Sequence, residues 1–278
     1  MKADFLIVGT MKSGTSTLSY ILGQHEKIAM PKKEVHFFNR NYGKGLSWYQ
    51  NVLEKNMNSF TEAIGEKTPP YCLRKLYAER IKEYNPDIKL IWVFREPVSR
   101  TYSHYLHKLK TGAEIFSFEK GLRLERRRIA KKSDADLNLG YIRASLYSEQ
   151  VEMYSKYFSK EQMKFLLFED LKERPERVVN EVLDFLGVSS EGFQFQNEIR
   201  NKTVLPKFPL PLYIARRLSG RGRLFNYTEK LTGYLFATTD KKPEMKQFTK
   251  EELKKFFEPY NEKLALLTGL DVSKWNQD

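Results

Sequence analysis

Lys12, Ser13, Gly14, Thr15, Ser16 and Thr17 set one cation, one glycine and four hydroxyls in a row, just after the apolar run Phe5-Leu-Ile-Val8. A strand ending at Gly9, a turn through Lys12 and Gly14 and a helix opening at about Thr15 converge backbone N–H groups and a positive helix end on one point. That is chemistry for a phosphorylated ligand. The spacing sets it apart from the nucleotide-triphosphatase loop G-x-x-x-x-G-K-[ST]. Gly9 and Gly14 keep the glycine interval, but Thr15 stands where the lysine belongs, and the lysine lies inside the loop as Lys12. No clear apolar strand ends in an aspartate that could hold magnesium, so no metal is expected.

Three further groups have the right chemistry. Arg95 closes the apolar run Leu90-Ile-Trp-Val-Phe94, with Pro97 placed to open the next helix and Ser103 one to two turns along it. Arg95 and Ser103 could grip a second phosphate; taken singly, Arg95 reads as a surface pair with Glu96 and Ser103 as a solvated helix residue. Glu34 and His36 fall two apart in a stretch, 34–38, that reads as extended, which puts both on one face. On residue type alone Glu34 also reads as a solvated carboxylate of the charged run Lys32-Lys33-Glu34, and His36 as a structural histidine. Lys67 follows the apolar stretch Ala63-Ile-Gly65 and precedes Thr68-Pro-Pro70, at a strand end on the sheet edge where ligands of open α/β folds lie; its bland alternative is a surface pair with Glu66.

Together these segments resemble the sulfotransferases that use 3′-phosphoadenosine 5′-phosphosulfate (PAPS), above all the heparan-sulfate type and their soluble bacterial relatives. Gly9-Thr-Met-Lys-Ser-Gly-Thr-Ser16 is similar to their 5′-phosphosulfate loop, and Arg95 with Ser103 to their 3′-phosphate pair. The resemblance continues through Lys33-Glu-Val-His-Phe-Phe-Asn39, Gly45-Leu-Ser-Trp-Tyr49, Gly65-Glu-Lys-Thr-Pro-Pro-Tyr71, Ser145-Leu-Tyr147, Phe256–Leu264 and Leu267–Trp275. It implies that Glu34 is the general base, with His36 supporting it and Lys12 and Lys67 flanking the transferred group. It also implies PAPS as co-substrate, held by Lys12 to Thr17, Arg95, Ser103 and Tyr147. The Lys-Gly-Arg loop typical of the heparan-type enzymes is absent; Thr239-Asp-Lys-Lys-Pro243 stands in that region. A free glutamate is a weak base, and burial beside Phe37 and Phe38 is expected to raise its pKa.

The elements that must position these groups alternate. Strands are expected at 4–9, 28–30 with 34–38, 61–65, 88–94 and 163–168, and helices at 15–23, 45–54, 72–84, 97–110, 117–131, 140–158, 175–186 and 249–267. That pattern predicts an α/β fold, a P-loop-like central parallel sheet with helices on both faces. A single domain over 1–278 is expected, with 188–248 as an irregular basic segment and candidate lid over cofactor or acceptor. The net charge is +13. Lys120–Lys132 and Ile199–Thr228 concentrate basic residues, which suits an anionic acceptor such as a glycan, or simply a solvated face. Phe208–Leu218 mixes bulky apolar residues with arginines, as membrane-interface segments do. With no nucleic-acid-binding signature, specific nucleic-acid binding is not expected. The rival readings are a small-molecule kinase using Mg·ATP and a basic polyanion-binding protein. Cys72 is the single cysteine, which excludes an internal disulfide. The first eight residues hold only a four-residue apolar run, too short for a signal peptide or anchor, so a cytoplasmic enzyme is expected.

Overall fold

The computed structural model describes residues 1–130, 139–196 and 243–275, with 205–206, 210, 213–214 and 238–239 between them. Outside this set fall Lys131 and Lys132, nearly all of the second basic run, most of 208–218, and Asp240 to Lys242. The described chain divides into two compact units. The first comprises Met1–Glu96, Leu146–Arg200 and Pro259–Asp278; the second comprises Pro97–Ser145 and Asn201–Glu258.

The first unit is built on five parallel strands: β1 (Phe5–Gly9), β2 (Ile28–Ala29), β3 (Ala63–Lys67), β4 (Lys89–Phe94) and β5 (Met163–Leu167). Their order is β2-β3-β1-β4-β5. The apolar strands of such a sheet have to be covered on both faces, and alternation sorts their side chains. Leu6, Val8, Leu90, Trp92 and Phe94 pack on one side with Tyr147, Val151 and Tyr154. Phe5, Ile7, Ile91 and Val93 pack on the other with Leu18, Ile21, Val179 and Val182. β3 can lie against β1 because residue 65 is glycine: a Cβ there would sit 2.4 Å from the Phe5 ring.

Helices α1 (Thr15–Leu22), α2 (Gly45–Glu54) and α3 (Lys75–Tyr84) belong to this unit. In the second unit lie α4 (Pro97–Lys110) and α5 (Phe118–Ala130). The first unit also holds α6 (Tyr147–Tyr154), α7 (Phe168–Glu173) and α8 (Pro175–Leu186), and α9 (Gln247–Thr268) has residues in both. The second unit also holds the antiparallel pair β6 (Leu205–Pro206) and β7 (Thr238–Thr239). Within it the fully buried Arg100 bonds the Ser145 hydroxyl and the Tyr141 carbonyl.

The α/β reading holds, and most helices fall where periodicity places them. Three expectations are corrected. The stretch 34–38 is no strand: it runs into a π-helical turn, Phe37–Asn41, in which both Arg40 and Asn41 donate to the His36 carbonyl. Phe37 and Phe38 are buried among Tyr49, Tyr71 and Tyr84, and seating two successive aromatics in one core defeats strand alternation. The helix expected over 72–84 is preceded by a 3-10 turn, Pro69–Leu73. The one expected over 140–158 shrinks to α6 behind a short turn at Arg143–Ser145. Helix α7 had no sequence signal.

Candidate active site

The C-terminal ends of β1, β3 and β4 carry the chemistry. Past β1 the chain makes the loop Thr10–Gly14, which opens α1. Thr10 and Ser13 are fully buried. Thr10 donates its hydroxyl hydrogen to the Val93 carbonyl at 3.0 Å, so Ser13 supplies the hydrogen of the 2.7 Å contact between the two hydroxyls. Ser13 is therefore spent on bracing the loop, whereas Ser16 and Thr17 on the first turn of α1 are only half-buried. Gly14 caps the helix at φ 85°, and a Cβ there would lie 2.7 Å from the Phe168 ring. Lys12 also occupies the left-handed region, at φ 71°, where a non-glycine residue is strained.

Past β3, Lys67 turns toward this loop. Its Nζ lies 3.0 Å from Ser16 Oγ and 3.3 Å from Glu34 Oε1. Glu34 Oε2 lies 3.1 Å from His36 Nε2. Loop hydroxyl, lysine, carboxylate and imidazole thus form a continuous chain, in which Lys67 is 11 % exposed, His36 17 % and Glu34 35 %. Glu34 and His36 do meet, although through a turn rather than along a strand: His36 sits at φ 55°.

The expected rise in the Glu34 pKa is corrected as well. Burial is the largest influence on the carboxyl and does push it up. The hydrogen bond from His36 and the charge of Lys67 together outweigh that push, and the group titrates below its ordinary value. Here Glu34 is an ionised carboxylate held by two partners.

Glu66, which the bland alternative for Lys67 paired with it at the surface, is sent the other way by the strand's alternation and is fully buried. Its carboxyl accepts from Thr68 at 2.6 Å, Tyr71 at 2.7 Å and Tyr49 at 3.4 Å. Burial raises its pKa, against the lowering effect of the Thr68 and Tyr71 hydrogen bonds. Thr68 Oγ1 in turn accepts the His36 N–H at 3.2 Å. Tyr71 accepts the Phe38 N–H, Arg80 donates to the Phe38 carbonyl, and Asn41 donates to the Val35 carbonyl. These residues hold the turn that carries Glu34 and His36, and only the period-two pattern around Lys67 could have pointed to Glu66.

Past β4, Arg95 donates from Nη1 to the Lys12 carbonyl at 3.3 Å and lies 4.8 Å over the Phe168 ring. Its own carbonyl accepts the Tyr147 hydroxyl at 2.9 Å. Tyr147 is buried, so it braces the strand tip that carries Arg95. Ser103 is half-buried on α4, in the second unit. The structure therefore brings together Lys12, Ser13, Gly14, Thr15, Ser16, Thr17, Glu34, His36, Lys67, Arg95 and Tyr147 within the first unit. Among the described residues no group of three or more His, Cys, Asp or Glu could hold a metal ion, and no helix is long and apolar enough to cross a membrane.

Comparison with known proteins gives a consistent pattern. The family model described as "Sulfotransferase domain" matches residues 2–207. Heparan sulfate glucosamine 3-O-sulfotransferase 3B1 of Homo sapiens is 29 % identical over 270 residues, covering 96 % of this chain and 63 % of the relative. Heparan sulfate glucosamine 3-O-sulfotransferase 6 of Mus musculus is 29 % identical over 273 residues, covering 96 % of this chain and 72 % of the relative. The chain thus spans less than two thirds of the length of the first of these. The crystal structure of a sulfotransferase from Alicyclobacillus acidocaldarius superposes with a TM-score of 0.77 at 26 % identity, over 100 % of both chains.

Proposed function

The chain belongs to the sulfotransferase domain family, and on that premise we propose that it transfers a sulfuryl group from PAPS to a hydroxyl or amine of a saccharide acceptor. The observation that carries this reading is the position of Lys67, bonded at once to Ser16 of the phosphate loop and to Glu34. One side chain ties the anion site to the base.

PAPS supplies an activated sulfuryl group on a phosphate leaving group; sulfuryl transfer is an in-line displacement in which positioning and charge stabilisation do most of the catalysis. Lys12, the first-turn N–H groups of α1 and the hydroxyls of Ser16 and Thr17 suit the 5′ end. Arg95 suits the 3′-phosphate; Ser103 as its second contact rests on the resemblance alone. Glu34 takes the proton of the acceptor O–H or N–H as the acceptor atom attacks sulfur. Lys12 and Lys67 hold positive charge where the sulfur–oxygen bond breaks and the phosphate departs. As Lys67 shares its charge with that phosphate, its hold on Glu34 relaxes and the carboxylate gains basicity.

The saccharide class comes from the relatives named above, and the net charge of +13 suits an acceptor that is already anionic. In this reading the span 1–278 is one sulfotransferase domain. A reducing, cytoplasmic setting goes with the one cysteine, Cys72, which is buried.

Thermal denaturation with adenosine 3′,5′-bisphosphate, compared with ADP and with Mg·ATP, tests the reading. At 100 times its dissociation constant a ligand adds about 2.7 kcal/mol. A magnesium-independent shift selective for the bisphosphate, followed by label transfer from PAPS to glycan acceptors, is the expected result. A shift with Mg·ATP alone would overturn it in favour of a kinase.

A further inference from the structure

We propose that Asn39 is a positioning residue that fixes the tautomer of His36 and so makes the imidazole a one-way hydrogen-bond donor to Glu34. The inference rests on Glu34 being the base of the reaction proposed above, while its own evidence is local geometry. The Asn39 amide has a definite orientation, because its Oδ1 accepts the Arg40 N–H at 2.7 Å and only the oxygen can do so. That turns Nδ2 toward His36 Nδ1, 3.3 Å away. An amide nitrogen only donates, so Nδ1 has to accept and carries no hydrogen. A neutral ring then bears its hydrogen on Nε2, the atom 3.1 Å from Glu34 Oε2.

The backbone keeps the ring in this setting. The His36 N–H is fixed on Thr68 Oγ1, and its carbonyl accepts from Arg40 and Asn41. The Arg40 N–H that orients the amide belongs to the same π-helical turn. The groups facing His36 are the Glu34 carboxylate directly, Lys67 across that carboxylate, and the buried Glu66 behind Thr68. Asn39 disfavours a hydrogen on Nδ1, because it would meet the amide's own N–H.

The consequence is a direction for the proton. When the acceptor O–H bond breaks and a Glu34 O–H bond forms, Nε2 already carries a hydrogen and cannot take that proton on. It stays on Glu34, and His36 only orients the carboxyl. The other tautomer would present a bare Nε2 and drain the proton onto the ring.

The test uses the full chain with 15N-labelled histidine, and His36→Gln identifies the His36 signals among the four histidines. In mildly alkaline solution the wild type is expected to show Nδ1 at the shift of an unprotonated nitrogen and Nε2 at that of a protonated one. Asn39→Asp keeps the size and the acceptor for Arg40 but places an oxygen against Nδ1, and is expected to move the hydrogen onto Nδ1. Its turnover should fall roughly 10- to 100-fold, the usual scale for losing a group that orients an active-site histidine. A wild-type ring protonated on Nδ1, or an unchanged ring pattern in Asn39→Asp, overturns the inference; the wild-type spectrum decides even if the variant does not fold. Because this readout needs neither cofactor nor acceptor, the two readings fail separately. An Nε2–H ring in a protein without sulfuryl transfer sinks only the function, and sulfuryl transfer beside an Nδ1–H ring sinks only this inference.

Discussion

The loop Thr10–Gly14 and the turn that carries Glu34 and His36 each place a non-glycine residue in the left-handed region, Lys12 at φ 71° and His36 at φ 55°. Such residues cost on the order of 1–3 kcal/mol each and persist only where the surroundings over-determine them. The loop is held by its own hydroxyls and from β4, whose Val93 carbonyl takes Thr10 and whose end carries Arg95 to the Lys12 carbonyl. Thr10 and Ser13 bond each other, Gly14 supplies the sharp opening of α1, and Phe168 closes over it. The turn has its own bonds at the His36 carbonyl and further partners from the segment after β3. Thr68, Tyr71 and Arg80 reach it from 32, 33 and 42 residues along the chain, and the buried Glu66 anchors two of them. Both segments are thus fixed by the tertiary core as well as by their own bonds, the loop by β4 and the turn by the residues that follow β3.

The largest effect expected from this difference is chemical. Glu34→Gln keeps the shape of the turn but removes the proton acceptor. It should lower turnover by roughly 10²–10⁴ while leaving adenosine 3′,5′-bisphosphate affinity nearly unchanged. Transfer assays with labelled PAPS beside a binding titration check this. Near-normal turnover would remove Glu34 from the role of base.

A matched pair of substitutions separates the two modes of support. Gly14→Ala forces a Cβ to 2.7 Å from Phe168 at φ 85°, so about 1–3 kcal/mol of stability should go, and bisphosphate binding with it. Thr68→Val removes the acceptor of the His36 N–H and the donor to Glu66, for about 1–3 kcal/mol as well. In that variant turnover should fall while bisphosphate binding stays. Denaturant melts and titrations of both proteins decide the matter; loss of bisphosphate binding in Thr68→Val would mean that the two supports are not separate.

The same difference explains what could be read from the sequence. The strands β1, β3, β4 and β5 and most helices follow from apolar runs and periodicity. Lys12, Gly14 and Arg95 stand out because their signal lies within a few residues of a strand end. Glu34 and His36 were placed on a strand, since nothing local announces the π-helical turn; it comes from Phe37 and Phe38 both seeking the aromatic core around Tyr49 and Tyr71. The buried place of Glu66 was not legible, because a carboxylate beside a lysine ordinarily lies at the surface. Its three hydroxyl donors come from Tyr49, Thr68 and Tyr71, and the farthest of them is seventeen residues away. The Glu34 pKa was expected to rise because burial is visible in an apolar sequence context. The partners that reverse the shift are visible only in three dimensions.

The smallest effect expected concerns pH. The folded-state pKa of Glu34 lies below its ordinary value, so the interaction adds stability above the unfolded carboxylate's pKa of 4.5 and loses it as pH falls through the depressed folded value. Lys67→Met removes one of the two groups that depress it. The melting-temperature difference between wild type and Lys67→Met should therefore be flat from neutral pH down to about pH 5, and shrink below that. It should be modest in size, because the Glu34 side chain is 35 % exposed and solvent screens the pair. The activity profile should respond in the opposite sense: with Lys67 gone, Glu34 takes a proton at higher pH, and the acidic limb of turnover moves up. A melting difference that grows on acidification, or an acidic limb that does not move, would mean that the base is set by the remote core around Glu66 and Thr68, with Lys67 contributing only at the phosphate.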